Sequence, residues 1–242
     1  MEIEERSEKV ETGGWRRGVS RALPITLGYV PIGFAYGVLA QKAGLSAFNT
    51  LAMSIFVYAG SSQLIAVGLF AAGAAPLSII LTTFIVNLRH LLMASALAPY
   101  LYRWQKVELS AFAYEITDES FAMHSVEFPR ATPAGEPDPA ESIALNLTAQ
   151  VSWVLGSWLG LVAGGLITDI QLFALDYALP AMFIALLMMQ LKNRVQLVVA
   201  IASGVIAVVL LLVGLDHWYV IAATVIGATL GVMVKEWTKK RS

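Results

Sequence analysis

Apolar residues run along this chain in long blocks, and the polar residues between them fall into a few short clusters. No Asp, Glu, Lys or Arg occurs from Ala43 to Leu88, from Ser142 to Thr168 or from Val195 to Leu215. A helix needs about 20 apolar residues to cross a bilayer core. The first block therefore has room for two crossings and each of the others for one. Gly- or Pro-containing turns, "QKAGLS" (41–46) and "AAGAAP" (71–76), a basic turn "LKNRVQ" (191–196) and an acidic one "GLDH" (214–217) punctuate the blocks. The pattern predicts eight helices, at 22–40, 47–71, 77–100, 108–126, 143–167, 171–191, 196–214 and 217–235. Residues 1–18 read as a solvated tail. The stretch 127–142, "EFPRATPAGEPDPAES", is a polar loop whose four prolines separate two halves. The fold class is an all-α polytopic transmembrane bundle, with 1–242 forming one integral membrane domain.

Basic residues give the orientation. Arg16, Arg17 and Arg21 precede the first apolar segment, Lys192 and Arg194 flank a later turn, and Lys235, Lys239, Lys240 and Arg241 close the chain. By the positive-inside rule these clusters are cytoplasmic. Both termini then lie inside, which an even number of crossings satisfies. Arg103 and Lys106 disagree, because eight crossings turn them outward; if 108–126 does not fully cross, the count becomes seven.

Several segments carry helix breakers. "LPITLGYVPIGFAYG" holds Pro24 and Pro31 among Gly28, Gly33 and Gly37. This reads either as a discontinuous helix whose freed backbone binds a substrate, or as a kinked helix packed closely through Gly33 and Gly37. "YAGSSQLIA" places Gly60, Ser61, Ser62 and Gln63 near mid-span, suited to a polar ligand or to interhelical hydrogen bonds. Asp176 and Pro180 interrupt "LDYALPAMFIALLMM", and a broken segment in each half fits an internal repeat.

The most expensive residue is Arg89, in "TTFIVNLRHLLMASALAP". A charge at mid-membrane costs at least about 2.5–3.5 kcal/mol, so Arg89 needs a protein or water cavity and a partner. Helical spacing puts Thr83, Asn87 and His90 on one face and Arg89 on another, with Thr82, Val86 and Met93. The segment "LSAFAYEITDESFAMHSV" offers partners. As one helix it carries Glu115, Asp118 and Glu119 on a single face, where they repel unless a cation sits among them. Arg89 with Asp118 or Glu119 is a candidate ion pair. These acids and His90 are candidate proton carriers, and the same residues also fit a purely structural pairing of two helices. His124 and His217 have no assigned role.

Composition narrows the function. The chain has 57% hydrophobic and 14% charged residues, with mean hydropathy +0.70; soluble domains carry about 25% charge. The net charge of −1 gives no footprint for nucleic acid. With no cysteine there is no disulfide or thiolate metal site. No H-E-x-x-H, G-x-S-x-G or G-x-x-x-x-G-K-[ST] string occurs, so no enzyme, metal or cofactor is expected, and transport would draw on an ion gradient or be passive.

In order, "GYVPIGFAYG", "FVYAGSSQLIAV", "NLRHLLMASALAP", "TDESFA" and "LDYALPAMFIALL" resemble the AzlC family of branched-chain amino-acid exporters, over about residues 20–235. The resemblance implies the large subunit of a two-component permease in a prokaryotic plasma membrane. It exports valine, leucine, isoleucine and analogues such as azaleucine, with a small partner similar to AzlD. Its motif positions fall on Gly28, Pro31, Gly33, Gly60, Gln63, Asn87, Arg89, His90, Asp118, Glu119, Asp176 and Pro180. Leu64 and Met93 stand where the family often has aromatic residues.

A branched-chain amino acid presents a carboxylate, an ammonium and an aliphatic tail. The expected substrate-binding or proton-coupling residues are Pro31, Gly33, Gly60, Ser61, Gln63, Asn87, Arg89, His90, Asp118 and Glu119. Arg89 or backbone N–H groups near Pro31 take the carboxylate and Asp118 or Glu119 the ammonium. Phe34, Phe56 and Ile65 wall the tail, and a protonated carboxylate couples export to proton entry. Two other readings are a channel for a small neutral solute and a scaffold subunit that does not itself transport.

Overall fold

The structure is a computed structural model. It describes residues 2–131, 136–167, 193–214 and 219–239, together with 177, 180, 181, 184, 187, 188 and 191; the side chains of 2–12, 219–221, 224 and 234–239 are not described. Asp176 and His217, and most of the segment expected at 171–191, lie outside the described residues. Among the described residues there is no strand, so the fold is all-α as the hydropathy blocks require. The chain falls into two compact units, Met1–Phe183 and Ile184–Ser242.

In the first unit α1 (Glu2–Lys42) and α7 (Pro139–Gly164) lie side by side and run parallel. Glycine sets their spacing. A Cβ on Gly33 would stand 2.8 Å from Trp153 O, one on Gly156 2.5 Å from Val30 O, and one on Gly160 2.0 Å from Phe34 O. These are small-xxx-small contacts on both partners. α1 continues helical through Pro24 and Pro31, so of the two sequence readings of this segment the closely packed continuous helix describes it.

Two of the expected spans are broken. Residues 47–71 form α2 (Ala47–Ala52), a π turn (Met53–Val57) and α3 (Gly60–Ala71). Residues 108–126 fall in α5 (Lys106–Tyr114) and α6 (Asp118–Ala131). At 1.5 Å per residue, α5 and α3 reach about 14 and 18 Å, roughly half of a 30 Å hydrocarbon core. Between them runs α4 (Pro76–Leu97), extended by a 3₁₀ turn, Ala98–Tyr100.

Contacts fix how these pieces run. Call the end where α1 and α7 begin the near end. Trp104 Nε1 donates to Pro137 O there, and Leu97, Leu101, Phe112 and Phe128 share one buried cluster. Along α6, Glu127 joins Arg21 at this near end, while Asp118 at the helix start joins Arg89. α5 therefore climbs from the near end to mid-depth, reverses at 115–117, and α6 descends again. α4 reaches the near end with its C-terminus, so its start and the 72–75 turn lie at the far end. From there α2 begins beside α1, where Tyr36 Oη donates to Thr50 O. It descends to Ile55, level with Gln150, and α3 returns. Among the described residues the first unit is thus three long helices, α1, α4 and α7, and two helical hairpins that dip in from opposite ends. α1 with α2–α3, and α4 with α5–α6, are the same arrangement inverted.

The expected spans 47–71 and 108–126 are therefore the two hairpins. Four helical segments are long and apolar enough to cross, among the described residues: Gly13–Lys42, Pro76–Tyr100, Pro139–Gly164 and Arg194–Leu212. This arrangement also removes the conflict over Arg103 and Lys106, which now fall at the near end with Arg16, Arg17 and Arg21. The near end begins earlier than the sequence suggested. Gly14 and Gly18 already pack on Asp138 and Glu141, and Arg17 and Arg21 pair with Glu141 at 3.1 and 2.7 Å. The expected 127–142 loop is helical at both its ends.

In the second unit α8 (Arg194–Leu212) starts at Asn193, whose side chain accepts from Gln196 N–H. It ends by Gly214 at φ +87. α9 (Tyr219–Lys239) packs antiparallel on it, Gly227 against Ser203 and Gly231 against Val199.

Candidate functional site

The two hairpin tips meet at mid-depth, and each is built by local chemistry. In the first, Tyr58 turns the chain with φ +42 and is the only non-glycine residue with positive φ among the described residues. Gly60 follows because nothing larger fits: a Cβ there would stand 2.8 Å from the Trp153 ring. Gln63, fully buried, holds the turn. Its Oε1 accepts from Ala59 N–H at 3.2 Å and its Nε2 donates to Ser54 Oγ at 3.3 Å. Ser54 donates in turn to Ser157 Oγ on α7 at 2.9 Å. In the second tip Thr117 caps α6, and Thr117 and Ser120 exchange side chain-to-backbone bonds at 2.9 and 3.4 Å. The tips touch directly, through the Tyr114 hydroxyl donating to Ile55 O.

Polar side chains converge on this meeting point. Arg89 Nη1 lies 2.8 Å from Asp118 Oδ2, and Nη2 donates to Ser61 Oγ. One cation thereby ties α4 to the first turn of both α3 and α6. Tyr29 Oη lies 2.7 Å from Thr117 Oγ1 and 2.5 Å from Glu119 Oε2. With one proton, it donates to the carboxylate and accepts from the threonine. The Tyr29 ring stands edge-on to those of Tyr58 and Trp153, with centroids 6.5 and 5.5 Å apart.

The structure therefore brings Ser61, Arg89, Asp118 and Glu119 into one group, with Gly60 and Gln63 shaping its wall. Pro31 and Gly33 lie within the continuous α1, and Gly33 serves the seam with α7. His90 turns back on its own helix, with Nδ1 3.0 Å from Asn87 O; Asn87 Oδ1 is buried without a hydrogen bond. Phe56, an expected tail wall, is 74% exposed. Glu115, Asp118 and Glu119 do not share one helical face, because the chain reverses between them and each side chain has a different environment. Sequence reasoning missed Tyr29, Tyr58 and Trp153. The signal for the second tip was present, since Thr117 followed by Asp118 and Glu119 reads as a helix start. Among the described residues no cluster of His, Cys, Asp and Glu has metal-site geometry.

Comparison with known proteins gives a consistent relationship. The model of the AzlC protein family matches residues 24–167, which contain both hairpins and α7. An uncharacterized membrane protein of Archaeoglobus fulgidus is 32% identical over 89% of this chain and 93% of its own length. Inner membrane protein YgaZ of Escherichia coli is 30% identical over 76% of each chain. The branched-chain amino acid transport protein AzlC of Bacillus subtilis is 25% identical over 93% of this chain and 87% of its own. No solved structure matches the chain.

Proposed function

The chain belongs to the AzlC family, and from that premise we propose that it is a secondary transporter that exports branched-chain amino acids. A role in membrane transport follows from the family and from the named Bacillus relative. The finer reading is that valine, leucine, isoleucine and analogues leave the cell in exchange for entering protons. A small AzlD-like membrane subunit would assist. The whole chain acts as one integral membrane domain of a prokaryotic plasma membrane, with the near end cytoplasmic, where Arg16, Arg17, Arg21, Arg103 and Lys106 collect.

One observation carries this reading: a half-buried cation and two carboxylates meet where two opposed hairpins end, at mid-depth. Transporters place their substrate sites at broken helices near the midplane, where helix ends replace water. Arg89, already bonded to Ser61 on the first turn of α3, is suited to a substrate carboxylate. Glu119, bonded to Tyr29, and Asp118, bonded to Arg89, are suited to take up and release a proton as those bonds break. Gly60, Ser61 and Gln63 shape the α3 end of the site. Asn87, whose Oδ1 is buried without a hydrogen bond, and His90 flank Arg89 in the sequence of α4.

The test is efflux of preloaded labelled valine, leucine and isoleucine from cells expressing the chain with its candidate small partner. Efflux that disappears with Arg89→Ala and with a proton uncoupler supports a proton-driven carrier. Efflux at the wild-type rate in Asp118→Asn and Glu119→Gln, with unchanged pH dependence, removes the coupling role of these acids. Flux that ignores the proton gradient altogether makes the protein a channel.

A further inference from the structure

Asp118 and Glu119 are both occupied, by Arg89 and Tyr29, so neither is free to meet a substrate ammonium in this state. A third carboxylate is not so engaged. Glu115 ends α5 at the hairpin tip, is 7% exposed, and its Oε2 has no hydrogen-bond partner. Two more polar atoms nearby are poorly satisfied. Tyr58 is 3% exposed and Trp153 2%; Tyr58 Oη interacts only with the Tyr29 hydroxyl and lies outside full hydrogen-bond geometry, and the Trp153 Nε1 donor is buried without a partner. Buried polar atoms are almost always paired, and an orphan costs the full desolvation of the group.

These groups belong together. Tyr58 lies within electrostatic reach of Glu115 and Glu119. The Tyr58 and Trp153 rings flank Tyr29, and Trp153 covers Gly60. Tyr58 holds a left-handed backbone, a conformation that costs a non-glycine residue energy and persists where the surroundings require it. Here it turns the ring inward.

We propose that Glu115, Tyr58 and Trp153 form the seat of a primary ammonium group, held between the tips of the two hairpins. The carboxylate of Glu115 supplies the countercharge and Tyr58 Oη a second acceptor. The faces of Tyr29, Tyr58 and Trp153 supply the electron-rich walls that favour a cation. An ammonium has three donors and no acceptor, which suits a carboxylate oxygen without a partner and a hydroxyl outside full hydrogen-bond geometry. Because the tips touch through Tyr114 and Ile55, the structure shows this seat closed, and loading it requires the hairpins to part. The proposal rests on the transport reading only for which molecule carries the ammonium.

The experiment uses the purified full chain in nanodiscs and three probes: isoamylamine (the ammonium and tail alone), 4-methylpentanoate (the carboxylate and tail alone) and leucine. Calorimetry and thermal shift read binding without transport. Isoamylamine is expected to bind the wild type. It should bind Glu115→Gln about 10- to 100-fold more weakly, the worth of a charge-assisted hydrogen bond. Tyr58→Phe should weaken it about 2- to 10-fold, while 4-methylpentanoate is unchanged in both. Melting of each unliganded variant, read in the same thermal-shift series, separates lost binding from lost folding. Failure of isoamylamine to bind the wild type, or equal binding to Glu115→Gln, overturns the seat. If leucine efflux is intact in that case, the transport reading stands alone. Isoamylamine binding through Glu115 in a protein that moves no branched-chain amino acid leaves the seat in place and removes the substrate assignment.

Discussion

Arg89 on α4 and Asp118 at the first turn of α6 meet at 2.8 Å, and the same guanidinium reaches Ser61 at the first turn of α3. A single cation thus links both hairpins to the long helix between them. Its cost at that depth is met by a carboxylate at the positive end of a helix, where an anion is itself favoured.

Breaking this pair from one side should be worse than removing it. Arg89→Ala leaves Asp118 uncompensated in a setting where only 16% of its side chain is exposed. Losing one partner of a buried pair costs about 3–5 kcal/mol, while replacing both is far milder. Arg89→Leu with Asp118→Leu is therefore expected to melt closer to the wild type than Arg89→Leu alone. Thermal unfolding in detergent of the four proteins of the cycle measures this, and a coupling energy near zero would mean that the pair does not form.

The two tyrosines at the meeting point should respond differently to loss of their hydroxyls. Tyr29→Phe strips Glu119 and Thr117 of a bond each, which should cost about 1–3 kcal/mol. Tyr58→Phe removes a hydroxyl outside full hydrogen-bond geometry and should be neutral or slightly stabilising in the absence of ligand. Equal destabilisation by the two would show that Tyr58 makes a full hydrogen bond in the resting protein.

Glycine substitutions separate close packing from open space. Gly160→Ala drives a methyl to 2.0 Å from Phe34 O, which is backbone and cannot swing aside. α1 and α7 must then part, at a cost of about 1–3 kcal/mol. Gly28 on α1 has nothing within 4 Å of its would-be Cβ. Gly28→Ala should stabilise by about 0.5–1 kcal/mol, through helix propensity. Melting curves for the two variants should move in opposite directions.

The long helices were legible in the sequence because they depend on length and hydropathy. α4, α7 and α8 fall close to the segments read from charge-free runs, and α1 contains the first. The hairpins were not legible from that signal. An apolar chain that dips to mid-depth and returns has the same composition as one that crosses, so 47–71 and 108–126 both read as spans. Two details did point to the reversal. Thr117-Asp118-Glu119 is a helix start set inside an apolar stretch, and Arg103 with Lys106 contradicted the crossing count. Arg89 was legible as a charge that needed a partner, and Asp118 was among the partners named. What could not be read was which acid stays free, since that depends on a turn at 115–117 that reassigns three carboxylates to three environments. The aromatic side of the site, Tyr29, Tyr58 and Trp153, comes from three elements distant in sequence and carries no local pattern.

The hairpins make opposite predictions from spans in a labelling experiment, and the chain is suited to it because it contains no cysteine. If 47–71 is a hairpin that dips in and returns, the turns on either side of it open to the same side of the membrane. Ala43→Cys and Ala74→Cys should then both react with an impermeant maleimide from one side. By the same reasoning Arg103→Cys and Arg130→Cys flank the second hairpin and should both react from the other side, the side of the N-terminus. A bundle in which both segments cross would place Ala43 opposite Ala74 and Arg103 opposite Arg130. Right-side-out and inverted vesicles carrying each single-cysteine variant distinguish the two patterns. Protection of one member of either pair while its mate is labelled would refute the corresponding hairpin.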